Sequence, residues 1–360
     1  MFEEIKKNLK ERFPLEKVSF ENFILKKEVP VHKASWTYFL GGITMFCFLL
    51  QLVTGLLLLP YYQPTITGAY QSIQYISYYV PNGFLIRNLH AWAGSFMIFF
   101  AILHLLTVFA TKSYVKPRET TWISGIFLLL LTLGFGFTGY LLPWHQIAVN
   151  ATKVGMEILQ SSTSFLPSIF KLPGEFFTAN LRGGPTITQT TLSRFFSIHV
   201  VLLPLFFFFL ITVHLFLVQL YGMNKSSFEV KKYEKFFPDF FIKDLIVWIC
   251  LFLILLILSE TIPYDSFLTY TLKAPYIDNS PTPGGIKPEW YFLFLYYPLE
   301  ILSKTFVIVF SSFVLILLLL APKIFKHLSL KTHTIIAICI FLYLFISTVF
   351  GESIVRILRN

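Results

Sequence analysis

The chain has 360 residues, of which 55% are hydrophobic and 13% are charged, and its formal net charge at pH 7 is +10. A soluble domain carries roughly 25% charged residues, so the composition excludes an ordinary soluble enzyme and indicates a protein of the lipid bilayer. The excess of Lys and Arg is interpreted as loop topology and contact with anionic lipid rather than as a nucleic-acid-binding surface.

Residues 1–33 precede the first apolar stretch and lack the short apolar core of a signal peptide. Phe2, Ile5, Leu9 and Phe13 recur among charges at near-helical spacing. This spacing predicts an amphipathic helix on the membrane surface, and a solvated charged tail is the equal alternative.

Seven uncharged stretches follow, and each predicts one membrane-spanning helix of roughly 20 residues. The fifth stretch reaches this length only if its helix continues past Glu260 to about Ile262. The predicted fold is an all-α integral membrane protein of about seven transmembrane helices, with a four-helix domain at 34–224 and a three-helix domain at 225–360. The stretches are 34–86, 88–111, 120–152, 195–224, 245–259, 306–322 and 332–351.

Lys and Arg are concentrated on one side of this arrangement. The N-terminal segment and the loops after the second, fourth and sixth spans hold 19 of the 29 basic residues. Basic loops stay in the cytoplasm, which places the N-terminus there. The long segments 150–194 and 261–304 are therefore expected outside.

Four histidines lie deep within two of the spans, where a polar ring has no water and needs a partner. His90 and His104 are 14 residues apart, and His199 and His214 are 15 apart. These separations correspond to about 21 and 22.5 Å of helix, close to four turns, so each pair faces one way at two depths. The second and fourth spans run in parallel, which predicts that His90 meets His199 and that His104 meets His214.

Two stacked pairs of imidazoles are typical of two haems that each have two axial histidines. A single buried histidine more often forms a helix–helix hydrogen bond or a proton relay, but four at matched spacing favour haem. Zinc and copper sites gather their ligands at one depth. Two axial histidines leave the haem iron no open position, which favours electron transfer over oxygen chemistry.

Glycines repeat the same period and would leave room for a flat macrocycle between helices. Helix–helix packing explains either pair alone, whereas two pairs at the histidine period favour haem. Arg87, three residues before His90, is predicted to pair a haem propionate, with a snorkelling interfacial Arg as the alternative. The glycine pairs are Gly41 with Gly55 and Gly125 with Gly139.

The sequence KPEWY, at 287–291, precedes the sixth span on the predicted outer face. Pro288 suits the first position of a short helix and would leave Glu289 in its first turn. A carboxylate at a partly buried interface has a raised pKa and can take a proton from a hydroquinone. The alternative is a capping Glu beside interfacial aromatic residues. GYLLPW, at 139–144, ends the third span on the same face, and the two motifs are predicted to form one apolar pocket.

From about Pro30 to Gly351 the chain resembles cytochrome b of the cytochrome bc complexes. The paired histidines and glycines carry this resemblance, together with GYLLPW, KPEWYF and KPRETTW after the second span. It implies haem b on His90 and His199 near the outer face, and a second on His104 and His214. It also implies quinol oxidation at Glu289 and Tyr291, and an inner quinone site at Lys243 and Asp244. A flanking interfacial pair is the alternative for these last two residues.

The 15-residue spacing and the SRFFSIH run resemble the chloroplast and cyanobacterial form, whose two parts are usually separate chains. Here they are fused, which suggests a bacterial plasma membrane. Phe39 stands where that form has a cysteine that attaches a further haem, which argues against a third, covalent haem here. Gln219 and Thr107 replace a histidine and an arginine found at the inner end of relatives.

By this resemblance, one electron from quinol passes to an iron–sulfur protein and the other passes through the two haems to quinone, coupled to proton translocation. The sequence has no Cys–His cluster and no CxxCH motif. A Rieske-type subunit and a c-type cytochrome subunit are therefore expected as separate partners in a homodimeric complex. The rivals are a dihaem membrane anchor of a dehydrogenase or hydrogenase, which has no need of the outer motifs, and a haem-free proton-relay transporter, which leaves the glycine pairs unexplained.

Overall fold

A computed structural model describes residues 26–164, 175–176, 178–224, 228–267, 274–278 and 286–359. The predicted surface helix from Phe2 to Phe13 lies outside these residues. Within them the chain is almost entirely helical, which confirms the predicted fold class.

Seven of the described helices are long and apolar enough to cross a membrane, as predicted. The fifth ends at Thr261, one residue past Glu260, so the expected extension is present. The spans, named first to seventh below, are Ser35–Leu58, Gly83–Ala110, Glu119–Leu141, Gln189–Tyr221, Phe236–Thr261, Lys304–Ile324 and Leu330–Arg359.

Shorter elements lie between the spans. The described helices Ala69–Tyr78, Gln146–Ser164, Tyr264–Phe267 and Leu293–Ile301 are too short or too polar to cross a bilayer. Two strands, β1 (Glu28–Val31) and β2 (Lys232–Lys235), pair antiparallel. The sequence did not predict this small sheet, which joins the segment before the first span to the loop before the fifth.

The fourth span contains one wide turn, and it holds a histidine. Helix Gln189–Ser197 runs into a π turn at Ile198–Leu202, and helix Leu203–Tyr221 follows. Pro204 has no N–H to give to an α-helical bond in this turn. A π turn takes one residue more than an α turn, so the 15 residues between His199 and His214 cover the same four turns as the 14 between His90 and His104. The two histidine pairs are therefore matched in depth.

Four buried side chains, three of them apolar, lie in the centre of the bundle halfway between the two histidine depths. Phe48 of the first span and Phe207 of the fourth have ring centroids 4.1 Å apart. Both are buried, as are Met97 of the second span and Thr132 of the third. We call these four residues the middle layer.

The seventh span is tied to the loop after the second span by a buried hydrogen bond. The Tyr114 hydroxyl lies 2.6 Å from His333 Nε2, and His333 Nδ1 lies 2.9 Å from the Ser329 carbonyl oxygen. Since a carbonyl only accepts, Nδ1 carries the hydrogen and Nε2 accepts from the tyrosine. Tyr114 is 1% exposed and His333 is fully buried.

We expect Tyr114→Phe to destabilise the protein by about 1–3 kcal/mol, because it leaves a buried imidazole nitrogen without its donor. The midpoint of thermal unfolding in detergent measures this. Tyr78→Phe is the control, because Tyr78 is 74% exposed. Equal midpoints for the two variants would contradict the role given to this bond.

Candidate functional site

The upper histidine level consists of His90 in the second span and His199 in the fourth. Their ring centroids are 6.4 Å apart, with an interplanar angle of 67°. Imidazole nitrogens about 2.0–2.1 Å from one metal ion, the range for zinc, place two ring centroids roughly 6 Å apart. The separation therefore suits two axial ligands of a single metal centre.

A glycine lies against each imidazole of the upper level. A methyl group added at Gly55 would lie 3.4 Å from His90 Cε1, and one added at Gly139 would lie 2.7 Å from His199 Cε1. The first contact is ordinary, whereas the second is closer than real Cβ atoms approach. Gly139 is therefore required for the position of His199.

The lower level, His104 and His214, repeats this arrangement closer to the other end of the bundle. A methyl group at Gly41 would lie 3.4 Å from His104 Cε1, and one at Gly125 would lie 3.3 Å from His214 Cε1. Each of the four predicted glycines thus lies against a histidine ring. The sequence analysis expected them to leave room for a macrocycle, and the structure shows that they leave room for the imidazoles.

Hydroxyl groups that the sequence reasoning missed accompany three of the four rings. Each belongs to the residue immediately before one of the glycines, so the available signal was a Thr-Gly or Ser-Gly pair at the glycine period. The oxygens lie 2.9 Å from Nδ1 at His90 and His214 and 3.1 Å from Nδ1 at His199. They belong to Thr54, Ser124 and Thr138 respectively.

Arg87 lies near the upper level, as the sequence predicts, but it has partners within the chain. Its guanidinium forms an ion pair with Asp265 and donates to Ser77 Oγ at 3.2 Å. Burial raises the pKa of Asp265 and the adjacent guanidinium opposes that rise. Contact with a propionate remains a prediction for Arg87.

Glu289 is buried at the upper end of the bundle, with 7% of its surface exposed. It caps the short helix Trp290–Phe292, so the prediction that Pro288 starts this helix is wrong, because the extended backbone of Glu289 delays the first turn. Burial raises the pKa of Glu289 to about 7, the Tyr264 hydroxyl that donates to Oε2 at 3.2 Å lowers it, and Asp265 raises it. The carboxyl group can therefore exchange a proton near neutral pH.

Tyr291 lies against the end of the third span, next to the GYLLPW motif, and the apolar pocket predicted from KPEWY and GYLLPW stays a prediction. It is 6% exposed, and a methyl group added at Gly136 would lie 2.7 Å from its hydroxyl oxygen. Burial, and then the neighbouring Glu289, Tyr264 and Tyr140, raise the pKa of Tyr291. The residue therefore remains a neutral hydrogen-bonding group. Gly136 and Tyr264 are members of this site that the sequence reasoning missed.

The two residues predicted for an inner site, Lys243 and Asp244, point in different directions at the lower end of the bundle. Lys243 Nζ lies 2.5 Å from Glu234 Oε2 of β2, on a side chain that is 53% exposed. Asp244 turns inward, so that a methyl group at Gly42 would lie 2.5 Å from its carboxylate oxygens. Its Oδ1 is buried, and Trp248, one turn further along the same helix, is the side chain next to it. Asp244 is the member of the pair that faces the bundle.

The residues that depart from the pattern of relatives have internal partners. Gln219 accepts a hydrogen bond from Lys27 Nζ, and burial lowers the pKa of Lys27 to about 8. The Thr107 hydroxyl donates to the His104 carbonyl oxygen at 2.9 Å. Lys27 was not predicted, because nothing near it in sequence points to Gln219, 192 positions away.

The fold and the two histidine levels together define a helical membrane protein with paired buried histidines at two depths. The family model described as Cytochrome b/b6/petB matches residues 24–222, and the model described as Cytochrome b(C-terminal)/b6/petD matches residues 276–356. The chain therefore belongs to the cytochrome b family, with both parts fused in one polypeptide. Membership of this family implies that the protein binds haem b.

Individual relatives agree with this assignment. A cytochrome bc complex cytochrome b subunit of Chlorobaculum thiosulfatiphilum is 45% identical over 276 residues, which are 75% of this chain and 61% of that protein. Cytochrome b6 of Mastigocladus laminosus is 40% identical over 201 residues, or 56% of this chain and 89% of that protein. A chain of a hyperthermophilic respiratory Complex III superposes with a TM-score of 0.82 at 27% identity, covering 96% of this chain and 90% of its own.

We expect Gly139→Ala to lower the haem content of the purified protein, because its methyl group would displace His199. Gly134→Ala is the control on the same helix, since its methyl group would lie 3.6 Å from Leu203 Cδ2, an ordinary contact. The haem-to-protein ratio from the absorption spectrum measures the effect. Equal ratios in the two variants would contradict the requirement for glycine.

Proposed function

We propose that this chain is the cytochrome b subunit of a quinol:cytochrome c oxidoreductase complex and holds two non-covalent haem b groups. His90 and His199 would ligate one haem, and His104 and His214 the other. The observation that carries the proposal is the 6.4 Å separation of the upper imidazoles. When bound, the haems supply reversible one-electron transfer between the two levels.

The site around Glu289 would oxidise quinol, which releases two electrons and two protons. The buried carboxylate would accept one proton from a quinol hydroxyl, while Tyr264 holds the carboxyl group in place. The second proton would leave from the other quinol hydroxyl to the water outside the membrane. Tyr291 would line the same pocket. One electron would leave to an iron–sulfur protein and the other would pass to the upper level.

The site at the lower end would reduce quinone and take up protons. Asp244 supports this part of the proposal, because its carboxylate turns into the bundle against Gly42. Lys243 would contribute to this quinone site from the exposed surface of the bundle, because its ion pair with Glu234 holds it there. Lys27 and Gln219 border the same end of the bundle, where relatives differ from this chain.

The proposed orientation places the upper end outside and the N-terminus in the cytoplasm of a bacterial cell, with the subunit in the plasma membrane. The distribution of Lys and Arg supports it. The proposed partners are a Rieske-type iron–sulfur protein and a c-type cytochrome in a homodimeric complex. They rest on the resemblance to relatives that are named as complex subunits.

A dihaem anchor of a dehydrogenase or hydrogenase is less favoured. The C-terminal family model matches residues 276–356, which include Glu289 and Tyr291. An anchor needs only the four-helix part, whereas this chain buries Tyr291 of its second part against Gly136 of the first.

We expect the reduced-minus-oxidised spectrum to show b-type haem. We also expect each histidine variant to lose the haem of its own level. His90→Ala and the double variant His90→Ala/His199→Ala should each lose one haem, because both residues hold the same group. Combining His90→Ala with His104→Ala should lose both haems. His327→Ala, at an exposed position, should lose none. Absence of any b-type band in the unaltered protein would contradict the proposed function.

We expect Glu289→Gln to slow quinol oxidation about 10²–10⁴-fold, the range for loss of a general base, with both haems retained. The unaltered protein should lose activity as the pH falls through about 7, because the protonated carboxyl cannot accept a proton. The variant should lack this pH dependence. Steady-state rates between pH 5.5 and 8.5 measure both effects.

Glu260→Gln is the matched control for this experiment, since Glu260 is an exposed carboxylate at the end of the fifth span. It should keep the rate and the pH profile of the unaltered protein. Haem loss in Glu289→Gln, or an unchanged pH profile, would argue against a proton-accepting role.

A further inference from the structure

The residue before each of the four glycines distinguishes one histidine from the other three. It is a hydroxyl residue at three positions and an apolar residue at the fourth. Leu40 precedes Gly41, which faces His104, and Leu40 is 4% exposed. The hydroxyl residues are Thr54, Ser124 and Thr138.

The three hydroxyl groups accept hydrogen bonds from the imidazoles, because their own hydrogens are already used. Thr54 donates to the Leu50 carbonyl at 2.7 Å, Ser124 to that of Thr121 at 2.9 Å, and Thr138 to that of Gly134 at 2.8 Å. The oxygen of each is then left to accept from the Nδ1–H of its histidine. At His199 and His214 a backbone carbonyl, that of Phe135 and that of Thr121, accepts alongside the hydroxyl, whereas at His90 the Thr54 hydroxyl lies 2.9 Å from Nδ1. This bond fixes the tautomer, with the lone pair of Nε2 free for iron.

His104 has no such bond. Its Nδ1 is buried and has no hydrogen-bond partner in the described part of the chain. An imidazole whose N–H is bonded to an acceptor is a more basic ligand, and a more basic ligand favours ferric over ferrous iron. The upper level has two such bonds and the lower level has one.

We propose that Thr54, Ser124 and Thr138 are positioning residues that hold three histidines in the ligating tautomer, and that Leu40 withholds this bond from His104 and thereby raises the reduction potential of the lower haem. The inference rests on the proposed ligation of haem by the four histidines. It assigns a function to four residues that do not contact the iron.

The first span allows a test in both directions, because Leu40 and Thr54 are 14 residues apart on one helix and act on two histidines of the second span. Leu40→Thr adds the missing hydroxyl, and Leu40→Val has nearly the same shape without it. Thr54→Val removes a hydroxyl, and Thr54→Ser restores one. Thr44→Val is the control, because the Thr44 hydroxyl bonds to the Leu40 carbonyl at 2.9 Å and to no histidine.

Optical redox titration of the purified holoprotein gives one midpoint per haem, and electron paramagnetic resonance of the ferric haems reports the ligand field. Leu40→Thr should shift the lower haem toward the ferric form relative to Leu40→Val, by up to about tenfold, which is 59 mV for a one-electron couple. Thr54→Val should shift the upper haem toward the ferrous form, and Thr54→Ser should reverse much of that shift. Thr44→Val should move neither midpoint.

Equal lower-haem midpoints for Leu40→Thr and Leu40→Val would overturn the role of Leu40. An unchanged upper-haem midpoint in Thr54→Val would overturn the role of the hydroxyls, even if Leu40→Thr failed to assemble. Both results require that haem be present in the unaltered protein. They are thus distinguishable from failure of the proposed function, in which no b-type haem is found at all.

Discussion

The structure depends on the burial of four imidazole rings inside an apolar helix bundle. A polar ring in lipid needs space and hydrogen-bonding partners, and each histidine obtains its space from a glycine on the neighbouring span. The first span supplies the glycines for the second, and the third supplies those for the fourth. This arrangement makes the first span a neighbour of the second and the third a neighbour of the fourth. It also fixes the depth at which each histidine meets its glycine.

The two histidines of the fourth span are four helical turns apart, like those of the second span, although one more residue lies between them. His199 and His214 are separated by one residue more than His90 and His104, and this difference by itself would rotate one ring by about 100° on a regular helix. The π turn at Ile198–Leu202 absorbs the extra residue. Depth and facing direction are thus constrained more tightly than the number of residues.

Much of this could be predicted from the sequence, because it follows from local pattern. The lengths of the apolar stretches predict the spans, and the parallel direction of the second and fourth spans predicts which histidines meet. Each of these inferences needs only spacing, helix geometry and the high energy of a charge in lipid. Glu289 needed the resemblance to the cytochrome b family as well, because its motif alone also fits a capping Glu.

The remaining features depend on contacts between distant parts of the chain. Arg87 meets Asp265 across 178 positions and Tyr264 meets Glu289 across 25, and no periodicity connects them. The predicted start of the helix near Glu289 was wrong by two residues, because Glu289 has an extended backbone and the first turn begins at Trp290. The hydroxyl residues before the glycines could be read from the sequence. Only the structure shows that their oxygens lie within hydrogen-bonding distance of the imidazoles.

The middle layer separates the chemistry of the two ends. Phe48, Met97 and Phe207 carry no titratable group, and the Thr132 hydroxyl is bonded to the Leu128 carbonyl at 2.8 Å. None of these four side chains binds a proton that could cross the layer. An electron, by contrast, can tunnel between closely packed rings. On the proposed function, protons must therefore be released and taken up at opposite ends of the bundle. The separation of Glu289 from Asp244 by the full depth of the helices is then a requirement of the coupling.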